Sequence, residues 1–145
     1  MIRYSKNTDL ESIMTIWLNE NLNVHHFINK NYWINNFHFV KNELPKAKLF
    51  IYEEDNIVKG FIGIVDNSYI GGLFVDKNFQ GCGIGSALLQ KCFDTYENLS
   101  LNVYVKNYKA LEFYKKHGFK IAKEVIDSNT NETEYFMTWK KELSH

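Results

Sequence analysis

Residues 80 to 86 read Gln80-Gly81-Cys82-Gly83-Ile84-Gly85-Ser86 and place three alternating glycines between a β-like run, Tyr69 to Val75, and an apolar helix start, Ala87-Leu88-Leu89. A strand, a glycine loop, a helix and then the next apolar run, Leu99 to Val105, make a unit whose helix must cross back over a sheet to reach a parallel neighbour. Glycine lacks a Cβ, so backbone N–H groups can converge on an anion, and the helix N-terminus behind them adds roughly half a positive charge. The expected guest is a phosphorylated cofactor. The competing reading is an ordinary tight strand-to-helix turn.

Glycine cradles differ in spacing. A Walker loop needs Gly-x-x-x-x-Gly-Lys-Ser/Thr, and no lysine follows these glycines before Lys91, which argues against a nucleoside triphosphate. A dinucleotide loop needs Gly-x-Gly-x-x-Gly and an acidic ribose ligand ending the next strand. Counting from Gly81, the third glycine place holds Ser86, and Leu99 to Val105 ends without a carboxylate. The spacing Gln/Arg-x-x-Gly-x-Gly/Ala is met by Gln80, Gly83 and Gly85, and it resembles the pyrophosphate loop of the GCN5-related N-acetyltransferase (GNAT) family. Downstream, Asn107-x-x-Ala110-x-x-Phe113-Tyr114-x-x-x-Gly118-Phe119 is similar to that family's last helix and the strand after it. The N-terminal Ile16-Trp17-Leu18, His26-x-Ile28 and Asn31-Tyr32-Trp33 resemble its small bacterial YiaC/YjaB branch.

The resemblance implies a chemistry and a site. Acetyl-CoA would be the cosubstrate, with its pyrophosphate against Gln80, Gly81, Cys82, Gly83, Ile84, Gly85 and Ser86. In the family the strand before the loop pairs with pantetheine and points an amide at the acetyl carbonyl, which implicates Leu73, Phe74 and Val75. Gly71-Gly72 inside that apolar strand independently suggests a bulge or a close backbone approach. Asn107 would contact the cofactor, or serve only as an N-cap. Lys116 stands where the family often places a cation near the nucleotide end, or is simply solvated. Tyr114 occupies the general-acid position, and Phe113 is assigned to the core. The acceptor is an amine: a protein lysine, a protein N-terminus or a small molecule. A non-catalytic acyl-CoA sensor is the alternative, because a fold does not fix a function. His25, His26, Asp66 and Asp76 are candidate bases, and each also reads as a solvated loop residue.

Size and charge exclude other classes. At 145 residues the chain is the length of a single domain, residues 1–145, enough to bury about two thirds of its unfolded surface. Seventeen basic residues balance seventeen acidic ones without long runs of either sign, so neither nucleic acid nor a membrane surface is indicated as partner. The N-terminus has no signal-peptide core and no stretch approaches a membrane span, so a cytoplasmic location is expected. Cys82 and Cys92 lack the partners of a zinc site, and no metal is expected. They read as free thiols, with Cys82 a conceivable nucleophile at a helix N-terminus. The oligomeric state is monomer or homodimer, since the edge of the final hairpin can pair or stay bare.

Along the chain, residues 1 to 6 read as an edge strand, and Thr8-x-x-Glu11 as a capping box opening a helix with apolar face Leu10, Ile13, Ile16 and Trp17. A second helix follows Ile28-Asn29 with the stripe Trp33, Phe37 and Val40, ending at Pro45. Strands at 48–53, 59–65 and 69–75 form an antiparallel meander around Glu54-Asp55-Asn56 and Asp66-Asn67-Ser68. A helix at 107–117 is closed by Gly118, and strands at 119–126 and 134–139 form a last hairpin. The expected fold is α/β (α+β): a mixed, mostly antiparallel sheet of six to seven strands with about four helices on both faces. The aromatics of Asn23 to Phe39 belong mostly to the core and partly to a wall of the acceptor groove.

Overall fold

The structure, a computed structural model, describes residues 1–142. Its turns begin where the sequence places them. Asp55 and Asn56 have φ of 55° and 63°, and Asp66 and Asn67 of 51° and 67°, the left-handed backbone that short Asp and Asn side chains tolerate. These turns fold β2 (Lys48–Glu54), β3 (Ile57–Val65) and β4 (Tyr69–Val75) into the meander, with β1 (Ile2–Tyr4) on its outer edge. After α3 (Ile84–Thr95) comes β5 (Asn98–Tyr104), then α4 (Tyr108–Lys116), β6 (Lys120–Asp127) and β7 (Glu132–Lys140). The sheet order is β1-β2-β3-β4-β5-β7-β6, with β4 and β5 parallel and the remaining pairs antiparallel.

Hydrophobic periodicity assigns the helices to faces. α1 (Leu10–Val24) buries Ile13, Met14, Ile16 and Trp17, and α2 (Lys30–Glu43) buries Trp33, against Leu49, Ile51 and Phe61 of β2 and β3. On the opposite face Leu88, Leu89 and Cys92 of α3 and Leu111 and Tyr114 of α4 close over Phe50, Ile62, Leu101 and Met137. Each large aliphatic side chain so buried contributes about 1.5–3 kcal/mol. Gly118, at φ 95°, ends α4.

One local expectation fails. The Thr8–Glu11 box is not formed; a 3-10 turn, Asn7–Asp9, precedes α1, and Asp9 takes over. The Asp9 carboxylate accepts the Lys6 N–H at 2.6 Å and two guanidinium N–H groups of Arg3 at 2.8 and 2.9 Å. Arg3 also reaches Glu53 at 3.1 Å, joining β1, β2 and the helix entry. Charge-assisted bonds from a guanidinium outcompete a neutral hydroxyl cap, and that fixes which carboxylate holds the turn.

The feature that positions a site is the junction of β4 and β5. Tyr69 and Ser100 are their one registered pair, backed by a 2.9 Å bond from Ser100 N–H to the Ser68 carbonyl. Beyond it, toward Val75 and Tyr104, no ladder joins them.

Candidate active site

The glycine loop is built as a cradle. Asp76 caps the turn Lys77–Phe79 by accepting the Asn78 N–H at 2.9 Å, as its place before Gln80 suggests. Gly81 and Gly83 both sit at φ 80°, and a Cβ on either would meet no atom within 4 Å. Conformation, not crowding, therefore calls for glycine there, and the space before the loop is open. Gly83 is the N-cap of α3, and no side chain caps the helix. The first-turn N–H groups of Ile84, Gly85 and Ser86 have no intrahelical partners, and the positive end of the helix dipole lies there with them. Gly85 brings elements together: its Cβ would lie 3.5 Å from Phe113 Cζ on α4 and 3.8 Å from Val75 Cγ2 on β4.

Two side chains in the loop are committed elsewhere. Gln80 turns back, its amide donating to Glu20 Oε1 at 2.8 Å and to the Val75 carbonyl at 2.9 Å. Ser86 Oγ is 3.1 Å from His117 Nε2, whose Nδ1 donates to the Phe113 carbonyl at 2.8 Å, so Ser86 donates and α3 is tied to the end of α4. Glu20 is a residue that sequence reasoning missed. It is 4% exposed and also accepts the Lys77 N–H at 3.1 Å, so it clamps both sides of the loop, while burial raises its carboxyl above the usual range. The signal was present: a carboxylate in register with Ile13 and Trp17 on the buried face of the helix.

β4 is bulged where its two glycines predict. The register with β3 shifts between Gly63 and Ile64, opposite Gly71. At Gly72 a Cβ would stand 2.6 Å from Phe74 Cε2, so the Phe74 ring folds back over the glycine. Phe74 packs with Phe61 toward α1, whereas Leu73 and Val75 join the α3 side, which leaves the backbone of residues 73 to 75 bordering the gap toward β5. Cys82 is exposed and Cys92 fully buried, its thiol pushed up to about 12 by desolvation. A cleft of about 470 Å³ lies on the far side of the loop, between Thr15, Asn19 and Glu20 of α1 and Asp76 to Asn78. It contains none of the loop glycines; the cradle itself is an open surface.

On α4, Asn107 is the N-cap, its Oδ1 accepting the Ala110 N–H at 3.3 Å. Its Nδ2 lies 3.2 Å from His25 Nε2. His25 is thus no solvated loop residue: it is half-buried, its ring stacked on Trp33, and desolvation lowers its pKa to about 4. Both ring nitrogens are engaged, which removes it as a base. His26 is exposed. Tyr114 is 9% exposed, edge-on to Phe113 and Phe119, and its hydroxyl bonds to no described residue. Desolvation raises the phenol well above 10, so it stays protonated. Lys116 is exposed, with no ion pair among the described residues.

The match to known proteins is decisive. Residues 19–133 match the family model described as Acetyltransferase (GNAT) domain. The chain belongs to the GNAT family. It is 32% identical over 140 residues to the peptidyl-lysine N-acetyltransferase YiaC of Escherichia coli K12, covering 96% of each chain. The solution structure of apo YjaB from Escherichia coli superposes with a TM-score of 0.85 at 26% identity, covering 98% of each chain. PaiA N-acetyltransferase from Thermoplasma acidophilum, solved with coenzyme A, has the same fold at a TM-score of 0.80 and 19% identity, covering 97% of this chain and 98% of that one.

As a GNAT protein the chain is an acetyl-CoA-dependent acyltransferase, and its own geometry fits that cosubstrate. The uncapped first turn of α3 suits a pyrophosphate, and the unladdered stretch of β4 offers backbone groups to an extended amide chain such as pantetheine. Among the described residues no group of three or more His, Cys, Asp or Glu is placed to hold a metal ion.

Proposed function

We propose that this GNAT protein transfers an acetyl group from acetyl-CoA to the side-chain amine of a protein lysine, with Tyr114 as general acid. Bound acetyl-CoA supplies a thioester carbonyl for the amine to attack. Residues 81 to 86 would hold the pyrophosphate and the β4 backbone from Leu73 to Val75 the pantetheine. Gln80 would act by shaping the loop, and Asn107 by holding the start of α4. Lys116 reads as a solvated cation within reach of the nucleotide end. As the C–N bond of the neutral amine forms and the C–S bond breaks, the departing thiolate takes the phenolic proton of Tyr114, and the proton that the amine nitrogen loses passes through water to restore the phenol.

The observation that carries this reading is the Tyr114 hydroxyl: a protonated donor on a buried ring, with no hydrogen-bond partner among the described residues. A module that only senses acyl-CoA has no use for it. The choice of lysine rests on relatives named as peptidyl-lysine N-acetyltransferases. The whole chain would act as one acetyltransferase domain.

Calorimetric titration with acetyl-CoA, CoA, NADH and ATP tests the cradle; binding confined to the CoA species is expected, and no CoA binding refutes it. Mass spectrometry of lysine peptides, N-terminal amines and small amines incubated with acetyl-CoA tests the acceptor. Acetylation confined to N-termini or small amines would overturn the lysine assignment. Binding without any transfer would leave a sensor.

A further inference from the structure

A chain of hydrogen bonds runs from α1 to α4, and its direction is fixed at both ends. At one end the donor is the backbone N–H of Ala110, so the Asn107 atom that meets it is Oδ1, and Nδ2 must face His25. At the other end the acceptor is the Trp17 carbonyl, 2.9 Å from Asn21 Nδ2, which leaves Asn21 Oδ1 for His25 Nδ1 at 2.9 Å. An amide nitrogen only donates and an amide oxygen only accepts. His25 Nε2 therefore carries a lone pair and Nδ1 a proton. The other tautomer, or the imidazolium, would set N–H against N–H at Asn107.

The surroundings enforce this state. Asn21 is 2% exposed, so an unmade bond there would leave a buried polar group unsatisfied. The His25 ring is stacked on Trp33 at 5.4 Å and packed edge-on to Tyr104 at 5.1 Å and Phe27 at 5.7 Å. Tyr104 ends β5 at the open side of the β4–β5 gap, and Asn107 N–H bonds its carbonyl at 2.9 Å. His25 thus joins the α1–α2 corner to the start of the helix that carries Tyr114.

We propose that His25 is a positioning residue for acetyl transfer: locked as the Nδ1–H tautomer, it orients the Asn107 amide, and with it the first turn of α4 and the Tyr114 hydroxyl. This rests on the acetyl-transfer reading above for its kinetic consequence and not for its hydrogen bonds.

Two substitutions separate positioning from packing. In His25→Gln the amide oxygen replaces Nε2 and keeps the bond to Asn107; in His25→Asn the amide nitrogen replaces Nδ1 and keeps only the bond to Asn21. Both lose the ring, so both lower the melting temperature by similar amounts. The expected result is a kcat within a few fold of wild type for His25→Gln and a loss of about 10-fold or more for His25→Asn, with KM for acetyl-CoA little changed, because a misplacement near 1 Å can cost that much or more. In an Asn107→Ala background, His25→Asn should reduce kcat no further. Side-chain nitrogen NMR should report His25 as the Nδ1–H tautomer at neutral pH. Equal kcat losses in the two variants, additivity with Asn107→Ala, or an Nε2–H tautomer would each overturn the proposal. If the wild type transfers no acetyl group, the acetyl-transfer reading fails by itself. The positioning claim is then read from backbone shifts of Asn107 and Tyr114, which should move in His25→Asn and hold in His25→Gln; the reverse overturns it.

Discussion

Tyr114→Phe separates catalysis from folding more cleanly than most active-site changes. The substitution removes one oxygen and keeps the ring that packs against Phe113 and Phe119. Among the described residues that oxygen has no hydrogen-bond partner, so there no bond is lost and no partner is orphaned. A net effect within about 1 kcal/mol follows, since the expensive outcome of such deletions is the unsatisfied partner left behind. For a chain of this size that is a shift of roughly 2–4 °C in Tm, with either sign allowed. Turnover should fall by about 10²-fold or more, the lower part of the range for a lost general acid, which is about 2.7 kcal/mol of barrier. The assay is acetyl-CoA consumption in steady state beside calorimetric Kd and a thermal melt on the same preparation. Retained kcat would refute the general-acid role. A Tm loss well beyond a few degrees would refute the partnerless hydroxyl.

Other outcomes follow from the same geometry. Gly83→Ala should cost about 1–2 kcal/mol in a denaturant titration, the strain of a left-handed non-glycine residue, since its Cβ meets nothing, while weakening CoA binding by calorimetry. Asp9→Ala should lose about 3 kcal/mol or more in the same measurement, because Arg3 and the Lys6 N–H lose their shared acceptor, whereas Thr8→Ala should be nearly neutral. His25 is neutral in the fold down to about pH 4 but titrates near 6.5 when unfolded. The unfolded state then binds more protons in that window, so stability is full above it and falls as pH drops toward 4, by up to about 3 kcal/mol. After desolvation, the neighbouring His26 adds to the depression of the His25 pKa, and the Tyr104 phenol on the other side of the ring is held protonated by burial. Comparing wild type with His25→Gln from pH 7 to 4 isolates the effect, and parallel curves would refute it. In a thiol-labelling assay on the native protein, Cys82 should react and Cys92 should not, and acetyl-CoA should slow the reaction at Cys82.

Local rules made the architecture legible. Asp-Asn turns, alternating apolar residues and the glycine loop depend on nearest neighbours along the chain, and these elements formed within a residue or two of their expected ends. The capping box failed because an ion pair outcompeted it: Arg3 on β1 selects Asp9, and the carboxylate that helps to hold Arg3 in place for it, Glu53 of β2, lies 50 residues away. The role of His25 was hidden for the same reason. Its partners Asn21 and Trp33 are near in sequence, but the one that gives it meaning, Asn107, is 82 residues away. Glu20 lay between these cases, a charge on a buried helix face that announced a tertiary partner without naming it. Gln80 was singled out by its spacing as a cofactor contact, and its side chain turns back to Glu20 and the Val75 carbonyl.

The single rung between β4 and β5 makes the molecule two half-sheets sharing one seam, with residues 1–75 on one side and most of 98–140 on the other. A ligand that lies in this seam mends a fault line: it fastens to the native arrangement and to nothing in the unfolded chain. Its free concentration over Kd then sets an added stability of RT ln(1 + [L]/Kd), about 2.7 kcal/mol at a hundredfold excess. If acetyl-CoA takes the seam as proposed, its supply would set the resistance of the protein to proteolysis, and the lifetime of the protein would become a gauge of acetyl-CoA.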